Sequence, residues 1–548
     1  MSEYSRDVDF IVVGAGSAGC AVANRLSADP THRVLVLEAG GADDNWLTKM
    51  PLGFLKAVFN PAMSWGYRSE PEPQMNGRQL MVPRGKVLGG SSTINGMFYM
   101  RGHPRDFDDW RQMGCEGWGY ADALPYFKRM ETSWRGAGPY HGGDGPLHVA
   151  PIDTRRLLHD PLMETAANAG YPVSDDISGF HPEGFSKGEV TIDPKGHRAN
   201  ASRAYLHPVM GRPNLTVETH ALTHKVIIEN GRAVGVEYSK DGRTTRVRAM
   251  REVILCGGAY NSPQLLMLSG IGPADELREH GIEVVADLPG VGRNLSEHPN
   301  LMMQFRATKP VTFIRELRYD RAIRHVIQWW LFGNGAFATQ INSCNVVIRT
   351  RPELAAPDIQ IMCNPVAMSA DLWFPLLTKR HHHHFQVGVV QLHPHSRGWV
   401  KLRSADPADK PRICFNLYSD PTDYEVMRRG IREARRIYRT EPQASLTGDE
   451  TFPGAEHQTD AELDAILRQS GGVTQHPVGT CAMGIGSESV VDPQLRVRGI
   501  EGLRVADASI MPTVPGANTN AAAIMVGEKA ADLVLGRRLP AEDLPYAV

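Results

Sequence analysis

The amino-acid sequence predicts an α/β fold with more than one domain, and three features of the chain support this prediction. Residues 8–37 have the pattern of a strand, a helix and a second strand, which is typical of a parallel sheet. Alternating strands follow from Asn214, and residues 301–467 mix helices with strands. We therefore expect a first domain on a parallel sheet and a second, α+β domain built on an antiparallel sheet.

Length and composition exclude several classes of protein. The chain has 548 residues, of which 42% are hydrophobic, so it is neither disordered nor a disulfide-stapled miniprotein. Its formal net charge of -2 gives no overall basic field, and we expect no nucleic-acid partner. The seven Cys lack CxxC spacing, which is typical of core residues in a reducing compartment.

The amino terminus and the apolar stretches of the sequence bear on where the protein is located in the cell. The amino terminus, MSEYSRDVDF, lacks the pattern of a secretory signal, and no apolar stretch approaches the ~18 residues that span a bilayer. These observations predict a cytoplasmic protein without a transmembrane segment, and leave open peripheral contact with the inner face of a membrane. Residues 324–332, RHVIQWWLF, have two interpretations: a membrane-facing amphipathic helix, or a core helix or cavity wall, which the sequence favours.

The first glycine motif stands between predicted secondary-structure elements. A strand at residues 8–13 is followed by GAGSAG at 14–19, a helix at 17–28, a strand at 33–37 and then Glu38. Glycines allow a tight turn and close approach of a pyrophosphate, and a helix amino terminus favours its negative charge. An acid after the second strand can accept hydrogen bonds from ribose hydroxyls. The pattern predicts a Rossmann-like dinucleotide site and favours FAD or NAD over NADP.

A second glycine-rich loop, RGKVLGGSSTING, occupies residues 84–96. Its glycines and hydroxyl side chains would let backbone N–H groups approach a planar or anionic ligand closely. It lies within residues 40–145, which show few regular periods and are typical of ordered loops over a ligand. The strands after Asn214, divided by turns at 230–232 and 240–242, predict a small antiparallel sheet inserted into the first domain.

Four segments together resemble the glucose-methanol-choline (GMC) oxidoreductases. These are the loop at 84–96, GAYNSPQLLMLSGIG at 258–272, HPVGTCAMG at 476–484 and VADASIMP at 505–512. The matches extend from residue 9 to about residue 535 in the order of that family. The resemblance implies an enzyme that oxidises an alcohol with FAD bound in a discontinuous domain.

The resemblance also implies a division of the chain. Residues 1–155 and 156–300 would form the first two parts of the FAD-binding domain, residues 301–467 the substrate-binding domain, and residues 468–548 a third FAD-binding part with the catalytic residues. The positions implied to contact FAD are Gly14, Gly16, Ser17, Ala18, Gly19, Glu38, Ala39, Arg84, Gly85, Val87, Gly89, Gly90, Ser91, Asn95, Gly96, Met97, Val226, Gly257, Ala506, Asp507 and Thr519.

Two further residues are the predicted catalytic pair. His476 matches the family's base, and a neutral imidazole is an effective acceptor for a hydroxyl proton while the flavin N5 takes the hydride. Asn518 matches the partner position, where an amide could donate to the developing alkoxide, with Asn520 as the nearby alternative. Asn518 could also cap the last helix, predicted at residues 519–535.

Cofactor attachment and partners follow from the same resemblance. Some relatives attach flavin through a His in the glycine loop, and Ile94 stands at that position here, so we expect non-covalent FAD. The expected partners are an alcohol substrate and oxygen, or a quinone or other carrier, as electron acceptor. We expect a monomer or a homodimer. The predicted reaction converts a primary alcohol to an aldehyde; the alternative is a lyase that retains FAD as a structural element.

The run His381 to His384 is the remaining candidate for a metal site. Successive residues of a strand point to opposite faces, so at most two of the four side chains could converge on one ion. We therefore predict no metal centre and interpret the run as a polar strand start or loop.

Overall fold

A computed structural model describes residues 4–375, 377–378 and 382–546. Its α-helices are α1 (Ser17–Leu26), α2 (Trp46–Lys49), α3 (Phe54–Ala57), α4 (Pro104–Gln112), α5 (Tyr120–Met130), α6 (His159–Asn168), α7 (Gly258–Leu268), α8 (Ala274–Glu279), α9 (Tyr319–Phe332), α10 (Pro421–Tyr438), α11 (Asp460–Ser470) and α12 (Asn520–Val534). Its strands are β1 (Asp7–Val13), β2 (Val34–Leu37), β3 (Tyr67–Arg68), β4 (Met81–Val82), β5 (Glu131–Ser133), β6 (Leu147–Pro151), β7 (Gly184–Ser186), β8 (Glu189–Val190), β9 (Leu215–Glu218), β10 (Leu222–Glu229), β11 (Arg232–Lys240), β12 (Arg243–Leu255), β13 (Ile271–Gly272), β14 (Ala286–Asp287), β15 (Pro299–Ala307), β16 (Cys344–Ile348), β17 (Ile359–Asn364), β18 (His384–Gln391), β19 (Trp399–Lys401), β20 (Arg412–Cys414), β21 (Thr447–Phe452), β22 (Gly472–Val473) and β23 (Leu503–Val505).

The first sheet has the strand order β10-β11-β12-β1-β2-β9, with β23 also paired to β12. Strands β12, β1, β2, β9 and β23 pair in parallel, as the amino-terminal pattern predicts. Their residues are apolar on both faces, because helices and loops cover the sheet on both sides. The α/β fold class and the parallel opening unit are confirmed.

Strand β12 joins two kinds of pairing in one sheet. Its first half pairs antiparallel with β11, and its second half pairs parallel with β1. The antiparallel strands predicted after Asn214 are present as β10, β11 and the first half of β12, but they belong to the first sheet and do not form a sheet of their own. The hairpin strands extend the parallel sheet because the 13-residue β12 is long enough to run through both regions.

The second sheet is antiparallel, with the strand order β21-β15-β18-β17-β16-β7 and β22 paired to β15. Helices α10 and α11 pack against it and close a second hydrophobic core. Strand β7 lies outside the segment 301–467, so this sheet also uses a strand from earlier in the chain. The four segment boundaries stay a prediction.

The last helix packs against the first. Gly527 of α12 lies so close to α1 that a Cβ there would stand 2.4 Å from the Ala18 carbonyl oxygen. A glycine is required at this contact because any side chain would separate the two helices. The two ends of the chain thus meet in one core beside the parallel sheet.

Several local predictions need correction. Residues 40–145 contain four α-helices, α2 to α5, and three short strands, β3 to β5, besides ordered loops. Residues 324–332 lie in α9, whose outer face is exposed, so their interpretation as a core helix or cavity wall is wrong. All seven Cys are buried, as predicted. Within the described ranges, no helix combines the length and apolar character needed to cross a membrane.

His381 of the histidine run lies outside the described residues. His382 is exposed, and His384 begins β18.

Candidate functional site

A cavity of about 850 Å³ lies between the two sheets. One wall is formed at the carboxyl ends of the parallel strands, by Val13, Leu37 and Leu255. The opposite wall includes Asn300 and Asn364 of the antiparallel sheet. Open parallel sheets bind ligands at this edge, and the volume is at the upper end of the roughly 300–1,000 Å³ usual for small-molecule sites.

The glycine turn after β1 forms one end of the cavity. Gly14 has a φ of +101°, and a Cβ there would lie 2.5 Å from the Cys256 carbonyl oxygen. A Cβ on Gly19 would lie 2.0 Å from the Gly14 carbonyl oxygen. Only glycine fits at these two positions, and the turn brings the backbone of α1 up to the cavity.

Two helices direct their amino termini into this part of the cavity. Ser17 and Ala18 of α1 line it, as do Thr519 and Asn520 at the start of α12. The Ser17 hydroxyl donates to Asn520 Oδ1 at 2.7 Å and ties the two helix starts together. Neither helix has a side-chain cap, so their first N–H groups are available to an anionic ligand.

Glu38 is held at the end of β2 by backbone donors. Its carboxylate accepts hydrogen bonds from the N–H groups of Ala15 at 2.9 Å and Gly40 at 2.8 Å. Burial raises its pKa to about 7, although these two hydrogen bonds act in the opposite direction. A fixed acceptor in this wall matches the requirement of a ribose hydroxyl.

The second glycine loop crosses over the first. Gly90 has a φ of +54°, and a Cβ there would approach the Gly16 Cα to 2.8 Å. The loop is anchored by the fully buried Arg198, whose guanidinium donates to the Asn95 carbonyl at 2.7 Å and to its side-chain oxygen at 2.9 Å. Ser91 Oγ accepts from the Gly85 N–H at 3.1 Å. The two loops form a continuous backbone-lined channel.

Asp507 lies just after β23, on the parallel-sheet wall of the cavity. It accepts from the Gly258 N–H at 2.8 Å, the Ser262 hydroxyl at 2.5 Å and the Ser509 N–H at 2.8 Å. Burial raises its pKa above the usual value. The carboxylate thereby fixes the amino terminus of α7 at the cavity.

His476 and Asn518 meet at the cavity surface. The Asn518 amide nitrogen lies 3.1 Å from His476 Nε2, while His476 Nδ1 lies 3.0 Å from both Thr474 Oγ1 and His298 Nδ1. Because the amide donates to Nε2, the imidazole proton resides on Nδ1. Burial, followed by the charge of Arg84, lowers the pKa of His476 to about 3.

Glu297 and His298 complete this cluster, and the sequence analysis missed both. Glu297 accepts hydrogen bonds from the backbone N–H groups of His476 at 2.7 Å and His298 at 2.9 Å. Burial raises the pKa of Glu297 to about 7 and lowers that of His298 well below its usual value. The acidic and imidazole side chains of the EHPN segment at 297–300 were the available signal.

The alternative residue, Asn520, has a different environment. Its oxygen accepts from Ser17, away from the imidazole, whereas the Asn518 oxygen is buried without a partner among the described residues. Thr519, not Asn518, is the residue that precedes α12. The geometry therefore favours Asn518 as the partner of His476.

Most of the predicted cofactor positions line the cavity. Those that do are Gly14, Gly16, Ser17, Ala18, Glu38, Ala39, Arg84, Gly85, Gly90, Ser91, Asn95, Gly96, Met97, Gly257, Asp507 and Thr519, together with His476 and Asn518. Those that do not are Gly19, Val87, Gly89, Val226 and Ala506. The Val226 N–H donates to Ser269 Oγ, and residues 221–223 line the cavity in its place.

The antiparallel-sheet wall of the cavity is uncharged. It presents the amides of Asn300, Gln340 and Asn364 among methionine side chains. The carboxylates among the described lining residues are Glu38 and Asp507, on the parallel-sheet side, and the exposed Asp409, which accepts from the Ser404 hydroxyl at 2.6 Å. This wall can therefore hydrogen-bond a neutral group but offers no counter-ion for a cation.

Comparisons with known proteins agree with this architecture. Two family models described as GMC oxidoreductase match residues 8–300 and 394–527. The mitochondrial choline dehydrogenase of Mus musculus is 44% identical over 536 residues, covering 96% of this chain and 89% of that protein. The oxygen-dependent choline dehydrogenase of Sinorhizobium medicae (strain WSM419) is 45% identical over 533 residues, covering 97% and 96%. The crystal structure of pyridoxine 4-oxidase from Mesorbium loti has a TM-score of 0.86 at 30% identity and covers 97% of this chain and 100% of that one.

Proposed function

Because the chain belongs to the GMC oxidoreductase family and is an FAD-dependent alcohol oxidoreductase, we propose that it oxidises an uncharged primary alcohol to an aldehyde, with His476 as the base. The observation that supports the base most directly is the arrangement around its imidazole. Nε2, the unprotonated nitrogen, lies on the side of Asn518 at the cavity, and Nδ1 is held by Thr474 and His298.

The residues present fit FAD. Two uncapped helix amino termini and two glycine loops offer N–H groups for a pyrophosphate, and Glu38 offers an acceptor for a ribose. Ile94, at the position where some relatives carry a linking His, has no nucleophile, so the cofactor is non-covalent. When bound, FAD supplies the two-electron acceptor, at N5, for the hydride of the alcohol carbon.

The protein side chains handle the proton. In the proposed reaction the substrate hydroxyl inserts between His476 Nε2 and the Asn518 amide. The Asn518 N–H then shifts from Nε2 to the substrate oxygen as that oxygen gains negative charge, and the freed Nε2 accepts the hydroxyl proton. Glu297 holds the backbone N–H of His476 and so fixes the position of the imidazole. The unpartnered Asn518 oxygen is a further acceptor for a polar group of the ligand.

The names of the relatives raise choline as a candidate substrate. A buried quaternary ammonium requires a counter-ion or an aromatic cage, because desolvation of a cation is costly. The described antiparallel-sheet wall has no carboxylate, and the charge of Arg84 lies near His476. Aromatic side chains do line the cavity, among them Trp65, Tyr67 and Tyr260, so the missing carboxylate is what disfavours a cation. This environment favours a neutral alcohol, whose polar groups the three amides can bind.

A test of the base uses the purified holoenzyme. We expect His476→Ala to retain the yellow flavin spectrum and to lose about 10²–10⁴-fold in the rate of anaerobic flavin reduction by alcohol. His457→Ala, which alters a half-buried histidine that pairs with Glu456 and does not line the cavity, is the matched control and should be unchanged. Near-normal flavin reduction by the first variant would exclude His476 as the base.

A test of the substrate class compares alcohols at equal concentrations. Neutral aliphatic and aromatic primary alcohols should reduce the flavin with a kcat/KM about tenfold or more above that of choline, because choline would be buried without a counter-ion. Choline as the better substrate would contradict the proposal. A separate measurement identifies the electron acceptor: peroxide release during turnover in air would indicate oxygen, and its absence would indicate a quinone or another carrier.

The lyase alternative has no support. The relatives and the solved structure compared above are named dehydrogenases and an oxidase. Bleaching of the flavin by an alcohol without oxygen would separate the two reactions, because a lyase leaves the flavin oxidised.

A further inference from the structure

Helix α9 exposes apolar side chains along its outer face. Its inner face packs through Ala322, His325 and Trp329, so the helix is firmly attached to the protein. Tyr319, Ile323, Ile327 and Trp330 recur every three or four residues, which places them in one stripe along the helix, with Leu331 beside the stripe and Phe332 at the end of the helix. Trp330 is 73% exposed and Ile323 is 58% exposed. The exposed side chains are Tyr319, Ile323, Ile327, Trp330, Leu331 and Phe332.

A second exposed apolar segment lies against this helix. The Tyr319 N–H donates to the Trp373 carbonyl at 3.0 Å, and Trp373 Nε1 donates to the Ile314 carbonyl at 2.9 Å. This pairing places the segment beside the beginning of α9. Its exposed large side chains are Met368, Leu372, Phe374 and Leu377.

The combined surface reaches the edge of the cavity. Phe59, which is 64% exposed, and Met368 both line the cavity. An ion pair of 2.7 Å between Lys56 and Asp371 connects the chain at Phe59 to the second segment. We call this surface the apolar rim: Phe59, the exposed residues of α9, and the exposed residues of the second segment. A patch of this kind marks an interaction site.

Basic residues flank the apolar rim. Residues 315–324 contain four Arg against one Glu and one Asp, which leaves a net charge of +2. Arg315 and Arg321 pair with the buried Glu316, and Arg318 pairs with Asp320. Arg324 is exposed on α9, next to the apolar stripe. A helix with Trp, Phe and Leu on one side and Arg beside them is typical of segments that lie in the interface of an anionic membrane.

We propose that the apolar rim docks on the surface of an anionic phospholipid bilayer. The apolar side chains would enter the boundary between headgroups and acyl chains, and the flanking guanidinium groups would contact lipid phosphates. The cavity edge at Phe59 and Met368 would then face the lipid. This inference does not depend on the reaction proposed above, because it rests on the surface alone.

Vesicle co-sedimentation tests the docking with full-length holoenzyme. We expect the wild type to sediment with vesicles of phosphatidylcholine and phosphatidylglycerol, and less with phosphatidylcholine alone. The triple variant Ile327→Ser, Trp330→Ser, Leu331→Ser should reduce the bound fraction by about tenfold or more. Ile485→Ser removes an equally exposed apolar side chain, 70% accessible, in another part of the chain and should bind like the wild type.

Two further measurements test the docking proposal. Arg324→Glu should weaken binding to the anionic vesicles several-fold and leave binding to the neutral vesicles unchanged. The proposal is overturned if wild-type protein stays in the supernatant with both vesicle types, or if the triple variant binds as the wild type does. Light scattering that detects a dimer abolished by the triple variant would instead assign the rim to a second copy of the chain. Flavin reduction by alcohol in solution should be normal in the triple variant, so failure of docking is distinct from failure of the proposed reaction.

Discussion

A change of pH from 7 to 5 tests the environment of His476. An imidazole with the ordinary pKa near 6.5 would be about 76% neutral at pH 7 and about 3% neutral at pH 5, so a base of this kind would lose about 25-fold in rate. Burial and the charge of Arg84 lower the pKa of His476 to about 3, which leaves it about 99% neutral at pH 5. We therefore expect the rate to change by less than about twofold.

The assay is anaerobic flavin reduction in a stopped-flow instrument at low alcohol concentration. Under this condition the apparent second-order rate constant reports groups of the free enzyme. Glu297 requires a control, because its carboxylate lies against the His476 backbone and burial raises its pKa to about 7. A step near pH 7 that disappears in Glu297→Gln would belong to that carboxylate. A loss of tenfold or more toward pH 5 in both the wild type and Glu297→Gln would refute the reasoning about His476.

Two further predictions concern stability and cofactor binding. Glu131→Gln should lower the free energy of unfolding by about 3–5 kcal/mol, because the buried Arg101, whose side chain is 1% exposed, would lose the carboxylate that lies 2.5 Å from it. Denaturant titration measures this change. The control is Glu542→Gln, at a more exposed ion pair, which should lower the free energy of unfolding by less than about 1 kcal/mol. Gly90→Ala should weaken binding of FAD to the apoprotein by about tenfold or more, because its Cβ would push the second glycine loop away from the first at 2.8 Å. Gly170→Ala, with a similar positive φ of +75° but open space around it, is the matched control in a fluorescence titration, and equal affinities of the two variants would contradict the steric argument.

The parts of the site that depend on neighbours in sequence were predictable. The turn at residues 14–19 and Glu38 belong to one strand-helix-strand unit, so their spacing alone implies that they face one ligand. The confirmed α/β class follows from the same local periodicity. The pairing of β12 could not be predicted in this way, because its sequence pattern is the same whether its second half is unpaired or pairs with β1.

Contacts between distant residues were beyond local patterns. His298 and His476 are 178 positions apart, and the sequence of neither segment predicts that their Nδ1 atoms lie 3.0 Å apart. The choice between Asn518 and Asn520 likewise depends on where Ser17 lies, at the other end of the chain. Val226 is a position where the family resemblance implied a contact with FAD that the cavity does not offer. Its backbone N–H donates to Ser269 Oγ instead.

The same dependence on tertiary contacts explains why the exposed face of α9 was not predicted. Sequence periodicity describes a helix with apolar residues around much of its circumference, which fits a core helix as well as a surface one. Which side packs is decided by the neighbouring segment at Trp373 and by the buried Trp329. These tertiary contacts leave Trp330 and Leu331 outside.

The meeting of the two chain ends also constrains how the molecule matures. Ser17 is synthesised 503 residues before its partner Asn520, and strand β23 and helix α12 likewise follow β1 and α1 by most of the described chain. The first sheet and its cavity therefore lack β23 and the start of α12 until those segments have been made. We therefore expect the flavin to bind only after α12 has been synthesised, because residues at the start of that helix line the cavity.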